Sequence, residues 1–290
     1  MKIFILIFVL LIAVAFQLPA QSLVGTNASV KPPLELGKLS GGGSLGTRAL
    51  ANQINNPTAP VSLVQFRDIF VPSVPGYDNP ANVFEVQPCL PIFGKGVIPF
   101  DQLLKLTIPF PTTPGPGSQT GLGDISLFDV VTFNQSWGKW GLGPSLTFPT
   151  ATATALGQGK WQAGPAAAVI YAGVKDLQIG AVLQNSFSFA GSPGRPDVNT
   201  LSITPTLTYN LSHGWFVGYN DFDMTIDWKN GGAATIPVGP QAGKVFALGR
   251  VPVSLSFEGA WCPARASGSP EWLVCLEFTV IFKTIRAPRQ

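Results

Sequence analysis

Long stretches of this sequence alternate between apolar and polar residues, and this period of two constrains the fold more than any other feature. Between Leu201 and Leu211, every second residue is apolar or aromatic, and the residues between them are serine, threonine or asparagine. The segments that begin at Leu177, Val251 and Trp272 follow the same pattern. Because successive side chains of a β-strand point to opposite faces of a sheet, each segment predicts a strand with one apolar face.

The same criterion, applied along the chain, predicts twelve strands. They cover residues 61–71, 83–93, 100–109, 123–133, 140–148, 161–172, 177–190, 200–211, 215–228, 235–248, 251–261 and 272–282.

The links between these strands separate two folds that alternation alone leaves open, a β-sandwich with one hydrated face and a membrane β-barrel. Links after even-numbered strands are short, as at Gly249-Arg250, and those after odd-numbered strands are longer except at residues 229–234. Outer-membrane barrels have short periplasmic turns and longer extracellular loops. We therefore predict an all-β fold, a closed antiparallel transmembrane barrel of about twelve strands.

Composition supports a membrane barrel over a soluble domain. Only 11% of the residues are charged, against about 25% in soluble domains. Beyond the first twenty residues there is no apolar run of about 18 residues, which argues against a helical membrane protein. The net charge of +3 is too small to indicate a nucleic-acid partner.

The two ends of the chain differ from the strand region. Residues 1–20, with Lys2 followed by an apolar run and then Pro19-Ala20, predict a signal peptide. Residues 21–60 are rich in glycine, proline, serine and asparagine and predict a flexible leader that hangs in the periplasm or enters the lumen as a plug. The barrel is predicted for residues 61–282, and residues 283–290 would form a periplasmic tail.

Many short motifs resemble a known family, the outer-membrane proteins named for the meta-pathway of phenol degradation. The motifs are Gln87-Pro88-Cys89-Leu90-Pro91, Gly121-Leu122-Gly123-Asp124-Ile125, Gly141-Leu142-Gly143-Pro144, Phe148-Pro149-Thr150-Ala151-Thr152, Leu156-Gly157-Gln158-Gly159-Lys160-Trp161, Ala163-Gly164-Pro165, Ser188-Phe189-Ala190-Gly191, Arg195-Pro196-Asp197-Val198-Asn199, Asn210-Leu211, Gly214-Trp215, Ile236-Pro237-Val238-Gly239 and Gly243-Lys244-Val245-Phe246.

The resemblance implies a bacterial outer-membrane barrel in a Gram-negative cell that takes up small solutes, with aromatic or apolar compounds as candidates. It implies three partners, namely outer-membrane lipid, the barrel assembly machinery and a small-molecule solute. The chain departs from the family at Cys262 and Cys275, and in the tail that follows Phe282.

The polar faces of the strands predict the lumen lining, for which we expect twelve residues. They are Gln178, Gln184, Ser186, Ser188, Thr204, Thr206, Thr208, Asp221, Asp223, Asp227, Glu258 and Glu277. The carboxylates among them have two interpretations. They favour cations in an open channel, or they pair with basic groups such as Arg67 and Lys105 and pack the interior, which is the preferred interpretation.

Aromatic residues at strand ends predict the girdles that such barrels place at the membrane interfaces. They are Trp140, Phe148, Trp161, Phe189, Trp215, Trp228, Trp261, Trp272 and Phe282. Cys262 and Cys275 flank one predicted loop and are candidates for a disulfide, although the count of residues places Cys262 nearer Glu271.

Catalysis, a metal site and a cofactor are not expected. The chain has one histidine, His213, in a predicted turn, and a serine hydrolase needs an imidazole beside its serine. The leading hypothesis is a channel or transporter for small solutes. The alternatives are a structural or adhesive barrel with a packed lumen, and a secreted soluble β-domain.

Overall fold

The computed structural model of the chain describes residues 61–77, 79–94, 99–249 and 251–282. The signal peptide and the leader expected in residues 1–60, and the tail expected in residues 283–290, lie outside the described residues. Within the described residues, no helix is long and apolar enough to cross a membrane.

Nearly all of the described chain is β-structure, in fourteen strands joined by turns and loops. The strands are β1 (Ser62–Val71), β2 (Ala81–Ile92), β3 (Gln102–Thr112), β4 (Ile125–Gln135), β5 (Gly138–Phe148), β6 (Lys160–Tyr171), β7 (Leu177–Gly191), β8 (Asn199–Asn210), β9 (Trp215–Tyr219), β10 (Met224–Asp227), β11 (Ala233–Val238), β12 (Pro240–Leu248), β13 (Val251–Ala264) and β14 (Trp272–Phe282). Single 3-10 turns cover Thr154–Leu156, Ser212–Gly214 and Trp228–Asn230.

These strands form one closed antiparallel barrel. Each strand from β1 to β8 pairs with the next, and β1 also pairs with β14, which closes the sheet on itself. Strands β9 and β10 share one position in the wall and β11 and β12 share another, so the barrel has twelve positions. The predicted fold class is confirmed. The end that contains the turn between β13 and β12 is called the turn end, and the opposite end is called the loop end.

Alternation decides which side chains face inward. Along β14, Cys275, Glu277 and Thr279 are buried, whereas Trp272 and Leu276 between and beside them are exposed. The exposed positions of β8 and β13 are likewise apolar, including Leu207 and Leu255. The sequence pattern therefore places its apolar face on the outside of the barrel, as a protein surrounded by lipid requires.

The predicted strand ends lie within three residues of the observed ends, except in the ninth predicted strand. The prediction of one continuous strand over residues 215–228 is wrong, because β9 ends at Tyr219 and β10 begins only at Met224. Residues 221–223 leave the wall and enter the lumen, where they gain partners from β1 and β13, as described below. The tenth predicted strand is also divided, at Gly239.

The candidate disulfide between Cys262 and Cys275 is not formed, since both cysteines are free and buried. The N–H of Cys262 donates to the carbonyl of Glu271, whereas Cys275 lies opposite Glu258. Four positions along β14 separate Glu271 from Cys275, which is roughly 13 Å at the usual rise of a strand. A disulfide needs α-carbons about 4.4–6.8 Å apart. The strand register therefore keeps the two sulfurs apart.

The aromatic residues expected at the membrane interfaces lie near the ends of the strands. Trp161, Phe189, Trp228, Trp261 and Trp272 are exposed at the loop end, and Trp215 and Phe282 are exposed at the turn end. Phe148 contacts Trp161 edge-on at 5.6 Å between ring centroids, and Trp140 stacks on Phe133 at 4.4 Å. The ammonium group of Lys244 lies 4.9 Å from the ring centroid of Trp215. Their contact with a membrane interface remains a prediction.

Candidate solute site in the barrel lumen

A cavity of about 540 Å³ lies inside the barrel. This volume is within the range of pockets that hold small molecules, about 300–1,000 Å³. Much of the lining is amide and hydroxyl groups, from Gln65, Gln87, Gln158, Gln162, Gln184, Gln241, Thr107, Thr147, Thr204, Thr206 and Thr208. Such groups donate and accept hydrogen bonds without carrying charge, so they can bind polar uncharged parts of a solute.

The predicted lumen residues occupy three different environments. Those that line the cavity are Gln184, Thr204, Thr206, Thr208, Asp221, Asp223 and Glu277. Gln178 and Glu258 are buried but are not among the lining residues. The remaining three lie toward the loop end, where Ser188 accepts a hydrogen bond from the N–H of Val198, Asp227 accepts one from the N–H of Lys229, and Ser186 lies opposite Thr200.

Arg67 is the centre of the charged groups in the lumen. Its guanidinium donates to Asp221 at 2.6 Å, and lies 3.5 Å from Glu277 and 3.7 Å from Glu85. Glu85 and Glu277 are the residues directly opposite Arg67 on the two neighbouring strands. We call Arg67, Glu85, Asp221, Glu258 and Glu277 the carboxylate cluster. Its arrangement corresponds to the interpretation in which the acidic residues pair with a basic group inside the barrel.

Hydrogen bonds fix the other carboxylate oxygens of this cluster. Glu258 accepts from the N–H of Asp221 at 3.1 Å and from the amide of Gln241 at 3.0 Å. Glu277 accepts from the amide of Gln65 and from the hydroxyl of Thr279. Oxygens of Asp221, Glu258 and Glu277 lie within 4.8 Å of one another, a spacing that could hold a metal ion. The guanidinium of Arg67 already supplies a positive charge to two of these three residues.

The lining carries an excess of negative charge. Its cationic residues are Arg67 and Lys105, and its acidic residues are Glu85, Asp124, Asp221, Asp223 and Glu277. An acidic lining in a low-dielectric wall attracts cations and repels anions. The cavity is therefore suited to cations and uncharged molecules rather than to anions.

Apolar side chains fill the lumen between the cavity and the turn end. They form one buried cluster, the apolar plug, which consists of Leu63, Cys89, Leu103, Phe128, Val130, Ala166, Ala168, Phe216, Val245 and Ile281. These residues come from eight strands around the barrel, so the cluster brings apolar side chains into the lumen from most of its wall. The ring of Phe216 fits because the position beside it is Gly243, where a Cβ atom would lie 2.3 Å from the ring. Leu63, Leu103, Phe128 and Phe216 also line the cavity and thus form its floor.

A loop over residues 149–159, the roof loop, folds toward the lumen at the loop end. Leu156 in its 3-10 turn is buried, and Leu156, Gly157 and Gln158 line the cavity. The carboxylate of Asp124 accepts hydrogen bonds from the N–H groups of Ala151 and Gln158 at 3.2 and 2.6 Å. The hydroxyl of Thr150 donates to the carbonyl of Gly123 at 2.8 Å. The roof loop is thus attached to the segment that precedes β4.

The loop between β7 and β8, residues 192–198, also contacts the roof loop. Arg195 donates to the carbonyls of Gln158 and Gly157. Lys160 donates to Asp197 at 3.1 Å, and this hydrogen bond and the charge of Lys160 lower the pKa of the Asp197 carboxyl. Three motifs of the family resemblance, around Asp124, Gln158 and Arg195, therefore meet in one hydrogen-bonded structure above the cavity.

Removal of the Asp124 carboxylate should release the roof loop. A hydrogen bond to a charged group contributes about 1.5–3 kcal/mol, so the Asp124→Ala variant should increase thermolysin cleavage before Leu156 by at least about tenfold. Asp227→Ala is the matched control, because Asp227 also lies at the loop end but accepts from the N–H of Lys229 in a different turn. Equal cleavage of the two variants would show that Asp124 does not hold the roof loop.

Several residues of the site were not among the predicted lining, chiefly Gln65, Glu85, Gln87, Asp124, Gln162 and Gln241. Gln65 and Arg67 alternate with Val64 and Phe66, so the inward face of β1 could have been identified from its pattern. Asp124 precedes a strand, and the roof loop lies on a predicted link, so alternation gives no information about either of them.

Comparison with proteins of known structure shows a similar fold in an outer membrane channel from Pseudomonas putida F1. The two chains superpose with a TM-score of 0.54 at 14% sequence identity, over 77% of this chain and 94% of the channel. A triple mutant of the Rh. blastica porin aligns over 77% of this chain and 99% of its own length at 10% identity, with a TM-score of only 0.25. No protein-family model matches the sequence, and neither does any curated protein.

Proposed function

We propose that the chain is a bacterial outer-membrane channel for small solutes. The observation that carries this proposal is the cavity of about 540 Å³ enclosed by a closed β-barrel and lined by amide, hydroxyl and carboxylate groups. The apolar outer surface suits insertion in lipid, which makes outer-membrane lipid and the barrel assembly machinery its expected partners. Twelve strands are intermediate between filled eight-stranded barrels and open sixteen-stranded porins, which agrees with a narrow, partly filled lumen.

The solute is proposed to be small and either uncharged or cationic. The acidic excess of the lining disfavours anions. The apolar floor gives a surface on which an aromatic or aliphatic body can pack, and the family resemblance suggests aromatic compounds. The apolar plug should prevent a large constant ionic current through the resting barrel, because an apolar constriction excludes water.

Fractionation and bilayer recordings test this proposal together. We expect the full chain in the outer-membrane fraction, with a folded band that shifts in mobility on boiling. In planar bilayers we expect a small conductance with cation preference, and block of this current by mono-aromatic solutes such as phenol. A silent bilayer, together with unchanged solute uptake in cells that lack the protein, would contradict the proposal.

A second function is favoured by one specific observation, the filling of the lumen by the apolar plug. A structural or adhesive barrel needs no continuous pore and would present its loops to a partner. It predicts a silent bilayer, and binding to cells or matrix that is lost when the loops are deleted. The channel is preferred because a barrel with a packed lumen does not require a polar cavity of this size.

A further inference from the structure

The wall of the barrel is interrupted beside β8. This strand pairs with β10 over residues 200–203 and with β9 over residues 208–210. Residues 204–207 thus have no strand partner on that edge among the described strands. Four residues of a strand extend for about 13 Å. On the facing side, five residues separate Gly218 from Met224, so the interruption also contains an irregular extra residue, as in a β-bulge. We call this interruption the wall gap.

Asn220 still donates its N–H to the carbonyl of Gly239 in the wall, whereas residues 221–223, which would close the wall gap, lie inside the lumen. Phe222 packs against Ala260 and Cys275, on the inward faces of β13 and β14. Asp221 binds Arg67 of β1 and donates its N–H to Glu258. Strands β13, β14 and β1 are not the neighbours of β9 and β10 in the wall, because β11 and β12 lie between them. The segment therefore crosses part of the lumen to make these contacts, and the carboxylate cluster holds it there.

The cavity extends to the wall gap. Pro205 and Tyr219 both line it, yet both occupy outward positions of their strands, in register with the exposed Leu207 and Val217. Their place in the lining shows that the cavity reaches both edges of the wall gap. Because proline has no backbone N–H, residue 205 leaves no hydrogen-bond donor unsatisfied in the wall gap. The hydroxyl of Tyr219 donates to the carbonyl of Pro237 at 2.6 Å, which keeps this side chain at the rim.

We propose that the wall gap is a lateral portal, through which a solute passes between the cavity and the hydrocarbon layer of the membrane. The proposal rests on the channel function proposed above. The apolar plug lies on the direct route from the cavity to the turn end and narrows it, whereas the wall gap lies between the cavity and the apolar outer surface.

The portal selects the chemical class of the solute. A charged molecule would have to leave water for hydrocarbon, at a cost far above that of an uncharged one. An uncharged molecule with an apolar body and a hydroxyl or carbonyl group can bind the threonine and glutamine side chains of the cavity and still enter lipid. We therefore expect small, uncharged amphipathic molecules to use the lateral route. Conductance measurements detect a different route, the aqueous one through the same lumen.

A reversible cross-link can close the portal. The hydroxyl of Thr204 donates to the carboxylate of Asp223 at 2.5 Å, at one end of the wall gap. Cysteines at both positions, in the variant T204C/D223C, are therefore expected to form a disulfide on oxidation. The matched control is T200C/D227C, because Thr200 and Asp227 are directly opposite in the intact part of the ladder between the same two strands.

Both variants are compared in outer-membrane vesicles with a lipopolysaccharide leaflet, with N-phenyl-1-naphthylamine as the probe, whose fluorescence rises in hydrocarbon. Oxidised T204C/D223C should lose the protein-dependent part of dye entry and regain it on reduction, while its ionic conductance is the same in the oxidised and the reduced form. Oxidised T200C/D227C should admit the dye at the wild-type rate. The single cysteine variants control for bonds to Cys89, Cys262 and Cys275, and the gel shift on boiling reports folding.

A second variant keeps the test independent of disulfide formation. Thr206 lies at an inward position in the middle of the wall gap, so T206W should fill the opening and reduce dye entry. The control is T147W, on a strand that is paired on both sides. Dye entry that remains at the wild-type rate in oxidised T204C/D223C and in T206W would overturn the portal, and a protein-dependent conductance of the wild-type barrel would leave the channel intact. Dye entry and conductance that are both independent of the protein would overturn the channel itself.

Discussion

Replacement of Phe216 by alanine is expected to increase the ionic conductance of the barrel several-fold. Phe216 is 2% exposed and is the aromatic residue of the apolar plug contributed by β9. Its ring lies over Gly243 and forms part of the cavity floor. Without the ring, the position keeps only a methyl group beside a glycine, so water can enter the narrowest apolar part of the lumen. A hydrated constriction conducts ions where a dry one does not.

The same substitution should reduce stability, because it leaves a cavity in a packed interior. Phe→Ala substitutions in cores cost about 3–5 kcal/mol, so conductance is measured on protein whose folded state is verified by its gel mobility before boiling. The control is Phe257→Ala, which removes the same atoms from an outward position that is 56% exposed. An increase in conductance of equal size in both variants, or in neither, would contradict the assignment of the plug as the barrier.

The alternation of the sequence was sufficient to predict the barrel wall, because each strand carries its own information. In β14 the inward Glu277 and Thr279 and the outward Leu276 and Phe278 follow directly from a period of two. The apolar plug was only partly predictable from the same pattern. Val245 and Ile281 fall on inward positions of their strands, whereas a continuous strand over residues 215–228 with Asp221 inward places Phe216 outward, on the face opposite to the one that the structure buries.

The break in the ninth predicted strand could not be predicted in the same way. Asp221 and Arg67 are 154 positions apart in the sequence, and no local pattern reports their contact. The expected continuous strand places Phe222 outward, whereas the structure buries it in the lumen. Asn220 and Asp221 have low strand propensity, which is the one local sign of an irregularity. The tertiary contacts of the carboxylate cluster decide the conformation here.

The contacts of the roof loop also could not be predicted from the sequence, although the motifs that make them are visible in it. Asp124, Gln158 and Arg195 stand in three separate motifs and on three different links or strand starts. Their hydrogen bonds join loops that are adjacent only because the barrel places β4 to β8 side by side. Knowledge of the strand order would have been enough to expect contact between these loops, but not the donors and acceptors involved.

Replacement of Arg67 by methionine is expected to destabilise the barrel strongly, because this residue is the shared cation of the carboxylate cluster. Methionine fills a similar volume but leaves Glu85, Asp221 and Glu277 without their shared cation. Removal of one partner from a buried ion pair costs about 3–5 kcal/mol, because an uncompensated charge stays buried. The free energy of unfolding, measured by tryptophan fluorescence in denaturant, should fall by about this amount. In a salt gradient, folded Arg67→Met protein should show a higher cation preference, since the lining loses one of its positive charges.

An exposed ion pair provides the control for the Arg67→Met variant. Arg265 lies 3.4 Å from Glu271 at the loop end, and their side chains are 39% and 44% exposed. Exposed pairs contribute about 1 kcal/mol or less, so Arg265→Met should change stability little. In the double variant Arg67→Met/Asp221→Asn, one of the uncompensated charges is removed, and part of the lost stability should return. A loss in Arg67→Met no larger than in Arg265→Met would mean that this guanidinium does not hold the cluster together. In that case the infolding of residues 221–223, and the wall gap that it leaves, would require a different cause.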